Sequence, residues 1–215
     1  MGKGKFVVID GIDGSGKTTQ IELLKKYLDS QNIPWEAISF PQYGKNKFAQ
    51  EIEDYLQGKL GSLDKVDPYF IAKAYAQDRA LAKEEINQWL NGGKIVIANR
   101  YISSSKAHLG ANLPQTEREK FFKWLDELEY ITNKMPKEDL TILLSVDPSV
   151  GQKNVQGEQA DIHEADLKHL KQAARIYLEL SKIEENWFVV SCDMDGKMKD
   201  KDQIHKLILE ILNSF

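Results

Sequence analysis

Residues 6–19 run Phe-Val-Val-Ile-Asp-Gly-Ile-Asp-Gly-Ser-Gly-Lys-Thr-Thr, and no other stretch of the 215-residue chain restricts its fold as tightly. Phe6–Ile9 is an apolar, β-branched run of the kind that forms a parallel strand buried on both faces. It passes through a glycine-rich turn into Thr18–Ser30, where Ile21, Leu24 and Leu28 recur at helical spacing. G-x-x-x-x-G-K-[ST] between a strand and a helix is a phosphate-binding loop in the context it requires. Gly11, Gly14 and Gly16 let backbone N–H groups turn inward on an anion where a Cβ would stand in the way. The helix N-terminus adds partial positive charge. Lys17 is placed to reach the β and γ phosphates, and the Thr18 hydroxyl to ligate Mg²⁺. Gly11, Asp13, Gly14, Ser15, Gly16, Lys17, Thr18 and Thr19 are therefore the candidate triphosphate site. A chance glycine turn, the alternative, accounts for neither the strand before it nor the helix after it.

The length fits one α/β domain spanning 1–215. A hydrophobic share of 41% against 29% charged residues suits a globular chain rather than a disordered one. The net charge of -4 argues against nucleic acid as a partner, so the phosphate-binding positive charge must be local. Cys192 is the only cysteine, which excludes an intramolecular disulfide and a thiolate metal cluster and leaves it a packing role. Lys3 and Lys5 lead straight into a five-residue apolar run, too short for a signal peptide. Gly2 follows Met1, but Phe6 occupies the Ser/Thr position of a myristoylation pattern. No apolar segment reaches membrane-spanning length, and the expectation is a cytoplasmic protein without membrane contact.

Strand and helix patterns alternate along the whole chain. Lys5–Asp10, Glu36–Phe40, Lys94–Ala98, Asp139–Val146 and Asn186–Cys192 read as strands, and the helical segments between them imply right-handed crossovers and a parallel sheet. Lys47–Leu60 is amphipathic through Phe48, Ile52, Leu56 and Leu60. Asp67-Pro68 reads as an N-cap followed by proline at the first helical position, opening a helix that runs to about Asn91 and stops at Gly92-Gly93. Thr116 and Glu119 have capping-box spacing. Leu167–Ile183 and Lys201–Leu212 complete the helices.

In such a sheet ligands sit beyond the carboxyl ends of the strands. After strand two, Phe40, Pro41 and Tyr43 could line a base or sugar pocket or simply shape a turn. Tyr75 and Arg79 stand four apart on one helical face, suited either to a base and a phosphate or to a surface cation–π contact. Arg100 at the end of strand three points toward the crevice, and Ser103–Ser105 offer ligand donors or a helix N-cap. His108 reads as structural, with no second histidine at metal-ligand spacing and hence no protein metal site. Asp147-Pro148 opens a polar stretch, Ser149–His163, whose composition suits a mobile lid or a surface loop; Lys153, Asp161, His163 and Glu164 are its titratable members.

The phosphate loop, Phe40-Pro41, Ala76-Gln77-Asp78-Arg79, Asn99-Arg100-Tyr101 and the serines after it, taken in that order, resemble the thymidylate kinases. The likeness spans nearly the full length and takes in Asp139–Val150 and Ile176–Leu180. It implies a three-layer phosphate-loop kinase fold with a five-stranded parallel sheet, a lid at about 149–164, and transfer of the ATP γ-phosphoryl group, with Mg²⁺, to dTMP. It also implies roles. Asp13 would hold the deoxyribose 3′-hydroxyl, and Tyr75 would stack on thymine. Arg79 would bind the base edge or the acceptor phosphate region, and Arg100 the monophosphate and the transferring group. Ser104 and Ser105 would approach the base, and His108 takes the place of an aromatic residue beneath the sugar. A homodimer through helix packing is implied as well.

The chain departs from the family pattern in three places. Asn99 stands where members commonly carry aspartate, the strand-two loop has Gln42-Tyr43-Gly44 where arginine is frequent, and neither Gly14 nor the lid supplies the family's catalytic arginine. Lys153 is the cationic replacement at hand, although lysine lacks arginine's bidentate fork. The rival readings are a deoxynucleoside kinase, which calls for a carboxylate after strand two, a kinase of another deoxynucleoside monophosphate, and a nucleotide-binding regulatory protein with little catalysis.

Overall fold

The computed structural model describes residues 2–63, 65–154, 161–163 and 166–215. In chain order the elements are β1 (Lys5–Asp10), α1 (Lys17–Ser30), β2 (Trp35–Ser39), α2 (Lys47–Leu56), α3 (Pro68–Leu81), α4 (Lys83–Asn91), β3 (Ile95–Asn99), α5 (Ile102–Gly110) and α6 (Gln115–Asp126). A π-helical turn, Glu127–Thr132, extends α6. Then come β4 (Leu140–Ser145), α7 (Pro148–Asn154), α8 (Leu167–Leu180), β5 (Trp187–Ser191), the short hairpin β6 (Asp193–Met194) and β7 (Lys197–Met198), and α9 (Lys201–Ser214).

Five strands pair in parallel in the order β2-β3-β1-β4-β5. Successive strand side chains face opposite ways, so β1 feeds two cores. Val7 and Ile9 pack with Leu24 and Leu28 of α1, Ile176 of α8 and Ile208 of α9. Phe6 and Val8 pack with Ile52 of α2, Ile71 of α3, Ile86 of α4 and Phe121 of α6. All twelve side chains are at most 1% exposed, and each such burial stabilises the fold by about 1.5–3 kcal/mol. Helices thus cover both faces, giving the expected three layers. The chain runs from β1 outward to β2, back to β3, then across β1 to β4. That reversal opens a crevice at the carboxyl end of β1.

Each of the five expected sheet strands forms within two residues of its expected ends. The helices differ more. The helix expected from Pro68 to Asn91 is two: at Ala82 the backbone tightens (φ -91°, ψ -4°), its N–H bonding Arg79 O at 3.0 Å, and α4 starts at Lys83. α2 stops at Leu56 because Gly58 turns left-handed two residues later (φ 74°). Helix α6 starts at Gln115 after Pro114 with no side-chain cap, so Thr116 and Glu119 form no capping box. Ser103–Ser105 lie inside α5, buried, rather than before it. In the stretch expected as a lid, 148–154 is helical, with Ser149 N–H and Oγ donating to Asp147 Oδ1. Gly157 and Glu164 lie outside the described residues. Among the described residues no helix is long and apolar enough to cross a membrane.

Candidate active site

The loop after β1 folds as a cradle. Gly14 has φ 74°, and a Cβ there would stand 1.9 Å from Gly151 O of α7. Asn154 of the same helix donates through Nδ2 to Gly14 O at 3.0 Å. Lys17 Nζ donates across the loop to Gly11 O (3.0 Å) and Ile12 O (2.9 Å). Ser15 Oγ is buried without a hydrogen-bond partner, whereas Thr18 and Thr19 open α1 exposed. Lys153 is exposed in the last turn of α7, next to the residue that touches the loop, and does not line the cavity described next.

Beside the loop, a cavity of about 360 Å³ is walled by Asp13 of the loop itself, by the ends of β2 and β3 and the segments after them, by α3 and α5, and by Asp161 and His163. Asp13, Phe40, Pro41, Tyr75, Arg79, Arg100, Ser104, Ser105 and His108, all named from the sequence, line it together. The Phe40–Pro41 peptide is cis. Tyr43, Asp161 and His163 join them. Burial pushes the Tyr43 hydroxyl up to about 12 and Tyr75 well above its ordinary value, so both are neutral hydrogen-bonding aromatics.

Arg100 is the hinge between loop and cavity. Its backbone is left-handed (φ 66°), a strained state for a non-glycine residue that is held here by its N–H on Ile9 O at 3.1 Å. The guanidinium pairs with the Asp13 carboxylate and donates to Gly11 O (3.3 Å), Ser104 Oγ (3.4 Å) and His108 Nε2 (3.2 Å). Burial alone would raise the Asp13 carboxyl, but Arg100 and Lys17, whose Nζ is 3.8 Å away, hold it well below the usual carboxylate range.

Arg79 is used differently. It is 1% exposed, and its Nε (2.8 Å) and Nη2 (2.5 Å) both donate to Glu129 Oε1. Nη2 also donates to Ser105 Oγ at 2.9 Å. Asp78 beside it accepts from Gln42 N–H (3.0 Å) and Asn46 Nδ2 (2.7 Å), which fixes the loop after β2.

Sequence reasoning missed Asp10, Glu129 and His169, and named His163 only as a member of the polar stretch. Asp10, at the end of β1, accepts from Gly11 N–H, Ser104 Oγ and Tyr177 OH on Oδ1 and from Ser103 Oγ on Oδ2, so it ties β1, α5 and α8 into one rigid wall. Glu129 was detectable as an acid continuing the buried Phe121 and Leu125 stripe at intervals of four. His163 and His169 approach His108 from segments 55 and 61 positions away, a meeting that local spacing cannot reveal.

The thymidylate kinase family model matches residues 9–206. A probable thymidylate kinase of Pyrobaculum aerophilum is 38% identical over 174 residues, covering 80% of this chain and 81% of the relative. The thymidylate kinase of Sulfurihydrogenibium sp. is 30% identical over 211 residues, covering 97% of each. A solved thymidylate kinase from Candida albicans superposes with a TM-score of 0.79 at 23% identity, over 99% of this chain and 92% of the other, a likeness of fold.

Proposed function

The chain belongs to the thymidylate kinase family and phosphorylates dTMP to dTDP with ATP as donor, and we propose that Gly11–Thr19 hold the triphosphate while the Asp13–Arg100 cavity holds the monophosphate. One observation carries the residue assignment. Asp13 belongs to the phosphate loop yet faces the cavity, paired with Arg100, so donor and acceptor pockets share a wall.

The loop fits a phosphate chain: Ser15 Oγ is a buried hydroxyl without a partner, and Gly14 leaves no Cβ over the turn. Thr18 would hold Mg²⁺ with ATP, and Asn99 Oδ1, buried and unpartnered, lies at the neighbouring strand end. When bound, Mg²⁺ supplies positive charge to the phosphates undergoing transfer. Phosphoryl transfer asks the protein chiefly for positioning and charge. Lys17 exchanges its loop carbonyls for phosphate oxygens, and Arg100 holds the acceptor phosphate. Tyr75, Phe40 and Pro41 enclose the base, with Arg79 and Ser105 on its far side and Ser104 and His108 toward the sugar. Lys153, carried by α7 against the loop, supplies the charge that an arginine gives other members. A monophosphate dianion is already a nucleophile, so the site needs no general base.

The same proposal takes residues 1–215 as one domain with a lid at about 149–164, acting in the cytoplasm as a homodimer. The deoxynucleoside kinase reading would need a carboxylate in the loop after β2, where Gln42 is instead bound to Asp78. A coupled ADP-release assay offered dTMP, dUMP, dCMP and thymidine in turn tests the assignment. Turnover highest with dTMP is expected, and turnover of thymidine but of no monophosphate would overturn it.

A further inference from the structure

His108 of α5 and His163 of the segment before α8, which both line the cavity, meet His169 of α8 behind its wall, and no part of the kinase mechanism uses all three. They are 5%, 4% and 5% exposed. Their ring centroids are 5.4, 4.3 and 5.7 Å apart for the pairs 108–163, 163–169 and 108–169. One ring nitrogen from each lies within 4.8 Å of the others. We propose that these three histidines form a binding site for one divalent transition-metal ion of the Zn²⁺ class, distinct from the Mg²⁺ that accompanies the nucleotide.

Four observations support it. The first is unmet bonding: His108 Nδ1 and His169 Nε2 are both buried with no hydrogen-bond partner. Buried polar atoms are almost always satisfied, because an orphan costs about 1–3 kcal/mol. Two orphaned nitrogens on neighbouring rings point to a shared ligand.

The second is distance. Three imidazole nitrogens on one tetrahedral ion lie about 3.3 Å apart when Zn–N is about 2.0–2.1 Å. Contraction from 4.8 Å asks for side-chain adjustment of about 1.5 Å at most, within reach of χ rotations, with no rearrangement of the sheet.

The third is orientation from outside. The Asn112 Oδ1 oxygen lies 3.0 Å from His169 Nδ1 and can only accept, so the proton sits on Nδ1 and the lone pair on Nε2. Asn112 Nδ2 also donates to Tyr55 OH (3.3 Å), which stands 3.0 Å from His163 Nε2. One amide and one phenol thus fix two rings, the outer-shell arrangement that metal-bound histidines use.

The fourth is protonation. Burial depresses all three histidines, His169 to about 4, so they are neutral at pH 7, as ligands must be. The charged groups around them are Arg100 and Asp13 facing His108, Asp161 accepting from His163 N–H at 2.8 Å, and Asp166, which accepts from His169 N–H at 3.1 Å. An all-nitrogen set selects Zn²⁺, Co²⁺ or Ni²⁺ over Mg²⁺, which prefers oxygen. It also leaves a fourth position open for water or ligand. Loading has a consequence for the acceptor wall. A metal on His108 Nδ1 moves that proton to Nε2, which sets an N–H against Arg100 Nη1. Arg100 then leaves His108 and keeps Asp13, Gly11 O and Ser104.

The test uses untagged, chelator-treated full-length protein with excess Mg²⁺ and no nucleotide. Zn²⁺ titrated against a chromophoric chelator should bind at one ion per chain, and Co²⁺ should give the intense visible bands of a tetrahedral site. His169 does not line the cavity, so H169A and H169Q are the informative variants; each should lose at least about 100-fold in affinity. Asn112→Ala should lose about 10–100-fold. His205→Ala, on α9 outside the cluster, should bind as wild type. Circular dichroism of the metal-free variants separates lost binding from lost folding. Absence of stoichiometric Zn²⁺ binding, or equal affinity in wild type and a folded H169Q, overturns the proposal. Because the readout needs no turnover, either result leaves the kinase assignment where it stands.

Discussion

Two arginines in one cavity wall have opposite surroundings, and each predicts its own experiment. Arg79 is neutralised in the interior by Glu129, itself fully buried. Removing one member of a buried pair leaves an uncompensated charge, so Glu129→Ala should cost about 3–5 kcal/mol of stability, read by urea or thermal unfolding. An unchanged midpoint would mean that Arg79 finds another partner. Arg100 is neutralised by Asp13, whose carboxyl is held below its ordinary range. A depressed acid contributes stability that is present above its unfolded value and lost as pH falls through the folded one. Asp13→Asn should therefore melt lower than wild type at neutral pH, and the gap should narrow only below about pH 4. A gap that closes between pH 7 and 5 would assign the effect to another group. Both arginines were legible in the sequence, Arg100 from its strand end and Arg79 from its helix face. Glu129 was not, because its partner is fifty positions away and only the buried stripe of α6 hints that the acid points inward.

At the scale of elements, legibility follows the origin of the signal. The central strands β1, β3 and β4 were legible because burial on both faces forces continuous apolar runs, and α3 because Asp67 and Pro68 cap it locally, Asp67 Oδ1 accepting from Tyr69 N–H at 2.9 Å. The break at Ala82 was hidden, since alanine favours helix and nothing local marks the turn there. Helix α7 was hidden too, within a polar stretch whose stability comes from contact with the loop rather than from an apolar stripe. That contact yields a prediction. Gly14→Ala forces a left-handed φ on alanine and sets its Cβ against Gly151 O, so it should cost about 1–3 kcal/mol. Calorimetry should record weaker ATP binding together with the loss in unfolding. Lys153→Ala, on the exposed side of the same helix, should leave ATP affinity near wild type and reduce kcat by about 10²-fold, the scale of removing one transition-state donor. Unchanged kcat would remove Lys153 from the catalytic set.

For the whole molecule, the fold was legible from the loop and the five strands, whereas the cavity needed the tertiary structure. It draws residues from the loop after β1, the ends of β2 and β3, α2, α3, α5 and the 161–163 segment, and only the resemblance had grouped most of them beforehand. The proposed homodimer has surface to use. Phe70 and Leu81, eleven residues apart and so on one face of α3, are 51% and 61% exposed. Sedimentation should return twice the chain mass, and Leu81→Glu should return one chain mass with the melting transition retained; a monomeric wild type would end that part of the proposal. The meeting of Gly14 with Gly151 also limits how this enzyme can evolve. An arginine at position 14 would restore the charge that the loop lacks, yet any side chain there drives α7 back, and α7 carries Lys153. One substitution would thus bring in the new charge and displace the proposed substitute, Lys153, together. The two positions are bound in sign epistasis, and a lineage holding this glycine pair is steered toward improving its lid rather than its loop.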